Sequence, residues 1–351
     1  GYESSPEETT DANSNGTNNI PTGDESDNGP LYKVELTYRN INTKKCYALG
    51  LIKTLELETI CKGLGLSLFK RDGSPQALGA VNYANDVEWI CQISMGTPQQ
   101  SFLVALDTAS ADLWVPCIDC ENCQNKRLFD YSQSSTYQEN DDNFSITYMD
   151  GSSSNGWMEM DTLQVGYMSI QNQQFAMIYS ISSAFQNDVI DGIIGFGMFK
   201  FLFITPFTNM YNQGLIPQQI FSVQLRPARN KTTYGGIFIF GGIDSRLYQG
   251  PITYTPVTYK LFWQIGIDAV EYNGKSVTKS SSSQKQQAIV DTATALLILG
   301  TSVVKTLHQK LKGKYDSSSN TWKVPCNLKN NVKVSIRING VSLQINCKFT
   351  M

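Results

Sequence analysis

The strongest constraint on this chain is a short pattern that occurs twice. Ala105-Leu106 carries an apolar run into Asp107, and the chain then enters Thr108-Ala109-Ser110. The pattern returns at Ala288-Ile289-Val290, which runs into Asp291-Thr292-Ala293-Thr294, with the two aspartates 184 positions apart. Turns at strand ends are where a rigid scaffold offers functional groups. One aspartate at such a place is an ordinary turn or cap residue. Two, each after an apolar strand, imply two similar lobes that present two carboxylates to one site.

Neighbouring carboxylates cannot both ionise cheaply, so such a pair holds one proton between them. It then supplies a general base and a general acid together. One carboxylate takes a proton from water while the other hydrogen-bonds a scissile carbonyl as it becomes tetrahedral. The hydroxyls of Thr108, Ser110, Thr292 and Thr294 are expected to hold the carboxylates in place. This chemistry needs no metal and no cofactor.

The remaining composition narrows the alternatives. His308 is the sole histidine, and residues 303–311 around it read as an exposed amphipathic helix. A hydrolase built on a Ser–His or Cys–His pair therefore has no other base to use. Zinc sites with several histidine ligands are excluded. Cys117, Cys120 and Cys123 have metal-like spacing, but no further ligand cluster accompanies them, and no metal is expected. A net charge of −3 provides no argument for nucleic acid or an anionic membrane. No apolar run reaches membrane-spanning length. Eight cysteines and three Asn-x-Ser/Thr triplets, at Asn15, Asn143 and Asn230, favour an oxidising, secretory route.

Along the chain, residues 1–30 hold seven acids, no Lys or Arg and little to bury, and are expected to be disordered. Residues 31–71 differ: eight basic residues against three acidic ones give +5, and the stretch ends in Lys70-Arg71. That pair reads equally well as a dibasic processing site or a chance pair on a loop. From residue 72 onward, 20 basic and 21 acidic residues nearly balance. Short apolar runs alternate with Gly, Asn and Ser turns, which predicts antiparallel β-structure with few helices, near 203–213 and 301–312. A second signal is the stretch 144–156. An alternating strand reaches Tyr148, passes through Asp150-Gly151-Ser152 and continues as another strand, as a mobile hairpin would.

Taken jointly, these stretches resemble the pepsin-like aspartic proteases from about Leu31 onward. Leu106-Asp107-Thr108-Ala109-Ser110-Ala111-Asp112-Leu113-Trp114 is similar to the family's first active-site segment and Ile289-Val290-Asp291-Thr292-Ala293-Thr294 to its second. Residues 144–156 resemble the flap, and Asp191-Gly192-Ile193-Ile194-Gly195-Phe196-Gly197 resembles the segment that backs the first aspartate. The resemblance implies an all-β, bilobal fold with a cleft for an extended peptide. It assigns catalysis to Asp107 and Asp291. Tyr148, Asp150, Gly151 and Ser152 become flap residues that contact the peptide, with Trp114 packed against Tyr148. Asp112 reads as a surface or turn residue and stays outside the site.

The expected layout is a disordered segment 1–30, an inhibitory prosegment 31–71, an N-terminal lobe 72–245 and a C-terminal lobe 246–351. The resemblance also implies disulfides Cys120–Cys123 and Cys326–Cys347, with Cys117 close enough to compete. Cys46 and Cys61 fall in the prosegment, leaving Cys91 and Cys117 to pair or stay as thiols; eight cysteines allow 105 connectivities. The expected partners are protein or peptide substrates and the chain's own prosegment. A monomer in a secreted or lysosome-like or vacuolar location is expected.

Three departures from the family are visible. Both turns read Asp-Thr-Ala where the family usually has Asp-Thr-Gly. Met149 stands in the flap where a glycine is usual. Beyond Ile298-Leu299-Gly300, which follows the Asp291 turn almost at once, no apolar-apolar-Gly segment is present to back Asp291 as Ile193-Ile194-Gly195 backs Asp107, so the C-terminal lobe is expected to be incomplete, with an open sheet edge. Two functions fit this sequence: an acid endopeptidase made as a zymogen, or a catalytically silent protein of the same fold that binds peptides or other ligands.

Overall fold

The computed structural model describes residues 33–36, 74–83, 88–198, 204–225, 234–278, 285–294, 297–318, 321–325 and 332–345. The readings made for residues 1–30, for Lys70-Arg71 and for Cys46, Cys61, Cys326 and Cys347 fall outside them.

Alternating apolar and polar residues produce long antiparallel strands. Along Ser153–Val165 buried and half-buried positions alternate over most of its length, the buried ones being apolar at Met158, Leu163 and Val165 but polar at Ser154, Glu159 and Asp161. It pairs with Met168–Ile181 and with Gln138–Thr147, the strand that leads into the flap. A ten-stranded sheet results, ordered Phe221–Leu225, Tyr234–Phe240, Gln76–Tyr83, Glu88–Met95, Gln100–Asp107, Gly192–Gly195, Leu113–Pro116, Met168–Ile181, Ser153–Val165 and Gln138–Thr147. Glu88–Met95 also pairs with Ser153–Val165, which folds the sheet back on itself.

At the sheet's centre the burial pattern changes. Gln100–Asp107 is buried without a break from Phe102 to Asp107. A strand covered on both faces is apolar throughout rather than alternating. Phe102, Phe129 and Phe175 pack on it in edge-to-face contacts, and Phe196, Phe238 and Phe240 extend the same core.

The second half of the chain builds a separate core. One four-stranded sheet is ordered Lys33–Leu36, Thr253–Tyr259, Gln264–Ile267, Gln286–Ile289. A second contains Lys275–Ser276, Ala269–Tyr272, Val334–Ile338 and Val341–Ile345, and a hairpin joins Lys314–Asp316 to Thr321–Lys323. The helix Thr301–Lys310 lays Val303 and Leu307 against Ile265, Val270 and Val334. The strand from the expected prosegment thus pairs with this second half, at Thr253–Tyr259.

The fold is all-β and bilobal, with three short α-helices among the described residues: Ser183–Gln186, Pro206–Asn212 and Thr301–Lys310. No described helix is long and apolar enough to cross a membrane. Two expectations need correction. His308 is half-buried rather than exposed, because its ring stacks on Trp322 with centroids 5.0 Å apart. Asp112 is buried, with 7% of its surface exposed, because its backbone is built into the turn behind Asp107.

Candidate active site

Asp107 sits at the end of its strand for a topological reason. Gly192–Gly195 inserts between Gln100–Asp107, which it meets in parallel, and Leu113–Pro116, which it meets antiparallel. Asp107 pairs directly with Gly195. The backbone then wraps the turn: Phe196 N–H donates to the Asp107 carbonyl at 2.6 Å, Gly195 N–H to the Asp112 carbonyl at 2.8 Å and Gly197 N–H to the Ser110 carbonyl at 2.8 Å. Glycine is required here by close approach. A Cβ on Gly192 would lie 2.0 Å from the Trp114 carbonyl oxygen, and one on Gly195 would lie 2.6 Å from the Ala111 carbonyl carbon.

The two aspartates are held in matching ways. Asp107 accepts from the Ala109 N–H at 2.7 Å and from the Ser110 hydroxyl at 2.5 Å. Asp291 accepts from the Ala293 N–H at 2.8 Å, the Thr294 N–H at 3.2 Å and the Thr294 hydroxyl at 2.5 Å. Neither alanine is among the described non-glycine residues at positive φ, so the Asp-Thr-Ala turns carry no left-handed strain. Each keeps the N–H that the carboxylate needs.

The threonines do something the sequence did not reveal. Thr108 and Thr292 were expected to hold carboxylates; instead they bind each other's turns. The Thr108 hydroxyl donates to the Val290 carbonyl at 2.7 Å and accepts from the Thr292 N–H at 3.1 Å. Reciprocally, the Thr292 hydroxyl donates to the Leu106 carbonyl at 2.6 Å and accepts from the Thr108 N–H at 3.1 Å. Four hydrogen bonds thus cross between the lobes directly beneath the carboxylates. Trp263 adds a further cross-lobe bond, from its indole N–H to the Phe196 carbonyl at 2.7 Å, and packs edge-on against Phe221. Nothing in the sequence around Trp263 announces this role.

Electrostatics mark the pair. Burial pushes the Asp107 carboxyl above its usual range, and the nearby Asp291 charge adds to this, while the Ser110 and Ala109 donors pull it back. The surroundings are unequal. Asp107 is 2% exposed and its strand has a neighbour on each side. Asp291 is half-buried, and Gln286–Ile289 before it forms the edge of its sheet among the described residues.

The hairpin closes as the sequence implied. Its strands meet at Thr147 and Ser153, and its turn is bonded from Gly151 N–H to the Tyr148 carbonyl at 2.9 Å, with Gly151 at φ +83°. Trp114 donates its indole N–H to the Tyr148 hydroxyl at 2.8 Å. Phe185 completes the wall, edge-on to Trp114 at 5.1 Å and to Tyr148 at 5.6 Å. Phe185 was not foreseen; an apolar residue ahead of the Asp-Gly segment was its sole sequence signal. Asp150 and Ser152 were expected to face a peptide, yet they satisfy one another. Asp150 accepts from the Ser152 N–H at 2.9 Å and hydroxyl at 2.6 Å, and Ser152 is buried. Met149 projects from the tip and is 63% exposed.

Of the expected disulfides, Cys120–Cys123 is formed. Cys91 and Cys117 are buried thiols, and burial pushes Cys117 up to about 11.

The chain resembles known proteins along most of its length. The family model described as eukaryotic aspartyl protease matches residues 88–350. Rhizopuspepsin of Rhizopus chinensis is 34% identical over 270 residues, which covers 75% of this chain and 67% of that protein. Pepsin A of Rhinolophus ferrumequinum is 33% identical over 318 residues, covering 89% and 80%, and pepsin A of Bos taurus is 36% identical over 266 residues, covering 74% and 70%. With its paired Asp-Thr-Ala turns braced against one another beneath a tyrosine-bearing hairpin, the chain belongs to the eukaryotic aspartyl protease family.

Proposed function

We propose that this chain is an acid endopeptidase in which Asp107 and Asp291 activate a water molecule against a peptide carbonyl. The observation that carries this reading is the cross-braced carboxylate pair, with one member pushed upward by burial and by the charge of the other. Such a pair titrates as a unit and works with one proton aboard. The ionised carboxylate accepts a proton from water as oxygen attacks the carbonyl carbon. The other carboxyl donates its hydrogen bond to the developing oxyanion, and the proton then passes to the leaving amine. Ser110 and Thr294 fix the carboxylates by donating to them, and Thr108 and Thr292 fix their spacing. A raised carboxyl keeps its proton in acid and loses it as pH rises, so activity falls on the alkaline side when the second proton leaves.

The substrate is an extended peptide beneath the hairpin. Tyr148, with Trp114 behind it, bounds the pocket, and the exposed backbone of Asp150 and the Gly151 carbonyl at the hairpin tip offer hydrogen bonds to the peptide main chain, while the Ser152 backbone is already bonded within the turn. The segment 31–71 is the inhibitory prosegment. Its excess of positive charge and the pairing of Lys33–Leu36 with Thr253–Tyr259 support that role. Secretion or delivery to a lysosome-like or vacuolar compartment follows from acid activity and the Cys120–Cys123 bond. The active form is a monomer.

A second reading, a silent peptide-binding protein, is favoured by one observation: the strand leading into Asp291 lies at a sheet edge among the described residues. Purified chain, exposed to acid and mixed with a denatured protein at about pH 3–5, distinguishes the two. Cleavage that Asp107→Asn lowers by at least about 10³-fold is the expected result. A folded chain that binds peptide and never cleaves it refutes the protease reading.

A further inference from the structure

The triplet Asn143-Phe144-Ser145 lies in Gln138–Thr147, the strand that leads into the flap. This strand is last in the order of the ten-stranded sheet, so among the described residues it is paired on one side alone, with Ser153–Val165. Its exposure agrees with an uncovered edge: every described side chain from 138 to 147 is exposed except Phe144 and Ile146. Successive strand residues point to opposite faces. Phe144 therefore enters the core at 4% exposure, while Asn143 and Ser145 stand together on the solvent face. The Ser145 hydroxyl donates to the Asn155 amide oxygen at 2.8 Å across the hairpin. Trp157 is the direct cross-strand neighbour of Asn143, and its ring lies against Tyr179 with centroids 4.5 Å apart. Directly opposed residues bring their Cβ atoms to about 4.5–5.5 Å. Both rings are half-buried, so a partly exposed aromatic surface flanks Asn143.

We propose that Asn143 is an N-glycosylation site and that its glycan caps the open edge of the flap strand. This rests on the secretory route and not on catalysis. An Asn-x-Ser triplet is a weak signal by itself, because such triplets also arise by chance. The structure adds three features: the amide and the hydroxyl on one exposed face, an open side beyond the strand, and an aromatic neighbour for the first sugar. Transfer forms one bond, from Asn143 Nδ2 to C1 of the sugar, and breaks one, from C1 to the pyrophosphate of a lipid-linked oligosaccharide donor. The amide gives up a proton, and the pyrophosphate leaves with the electron pair. The C–H face of a sugar ring is apolar and weakly positive, and it packs on the negative face of an aromatic ring such as Trp157. The cap meets a physical need. An uncovered edge carries unpaired N–H and C=O groups that a strand of another chain can join. Glu139 and Asp142, both exposed on this strand, oppose such pairing by charge. A glycan opposes it by bulk, at any pH. Phe144 and Ile146 point the other way, into the core that holds Trp114 and Phe185, so the glycan leaves the wall around Tyr148 untouched.

The test places the full chain behind a cleavable signal sequence in a eukaryotic host, so that the secretory route is imposed. Asn15→Gln and Asn230→Gln remove the other two triplets. The expected result is a protein whose gel mobility rises by one step on treatment with peptide N-glycanase, with Asn143 converted to aspartate in the peptide map. Asn143→Gln and Ser145→Ala should each abolish the step, and Ser145→Thr should keep it. Where a variant does not fold, translation with microsomal membranes gives the same reading, because transfer takes place on the nascent chain. An Asn143 that stays unmodified overturns the proposal. Sedimentation at matched concentration then compares the glycosylated parent with Asn143→Gln. Self-association of Asn143→Gln alone is expected, with kcat/KM at low concentration equal in the two. Equal association of the two proteins refutes the cap. A chain that carries the glycan and cleaves nothing refutes the protease reading alone.

Discussion

Thr108→Val is the most informative single change. It keeps the side-chain volume and removes a hydroxyl that makes two cross-lobe bonds, to the Val290 carbonyl and from the Thr292 N–H. Each such bond contributes about 0.5–1.5 kcal/mol net, and a buried group left without a partner costs about 1–3 kcal/mol. One orphan, the Thr292 N–H, is buried, and the other is partly so. Together they set the expected loss at about 2–4 kcal/mol. An unfolding entropy of about 2.1 cal/mol/K per residue over 351 residues gives about 1.4 °C per kcal/mol, so calorimetry should find a midpoint lower by about 3–5 °C. Thr108→Ser retains the hydroxyl and should recover most of the loss. Activity reports on the same bonds differently. Misplacing reacting groups by about 1 Å costs about 10²-fold, so kcat/KM should fall in Thr108→Val well beyond what partial unfolding explains. A Thr108→Val protein with a midpoint within about 1 °C of the parent would show that the crossing bonds do not hold the lobes together.

Further changes probe the strand behind Asp107 and the wall of the site. Gly192→Ala drives a Cβ to 2.0 Å from the Trp114 carbonyl oxygen, so soluble folded protein should be lost at a cost of at least about 3 kcal/mol. Gly214→Ala, at φ +67° in open space, should cost only about 1 kcal/mol; circular dichroism and soluble yield compare the two. Trp114→Phe removes the 2.8 Å bond to Tyr148 and should raise KM several-fold with a smaller effect on kcat. Tyr148→Phe should do the same, and the double variant should be little worse than either single one, because both lose one bond.

The sequence was informative where chemistry is local. An aspartate at a strand end followed by Thr-Ala-Ser/Thr predicts its own hydrogen bonds, since Ala109, Ser110, Ala293 and Thr294 lie within three residues of the carboxylates they serve. Tyr148 and Gly151 were legible for the same reason, because a hairpin carries its own turn. What was hidden depends on pairing across the chain. Thr108 and Thr292 meet over 184 residues, and no local pattern distinguishes a hydroxyl that steadies a neighbouring carboxylate from one that reaches across. Trp263 reaches Phe196 across 67 residues. Asp112 looked like a turn residue, yet the insertion of Gly192–Gly195 buries it. Asp150 and Ser152 were placed in the correct turn, but their mutual bonding follows from turn geometry that the residue types alone left open.

The edge position of Gln286–Ile289 has a mechanical consequence. Asp107 is anchored by a strand bonded on both flanks, whereas the strand ahead of Asp291 is bonded on one flank among the described residues. The site thus resembles a vice with one fixed jaw and one compliant jaw. The gap between the jaws is set less by the second sheet than by the Thr108–Thr292 cross-brace, which acts as its screw. A force that parts the lobes should displace Asp291 first and leave Asp107 where it is.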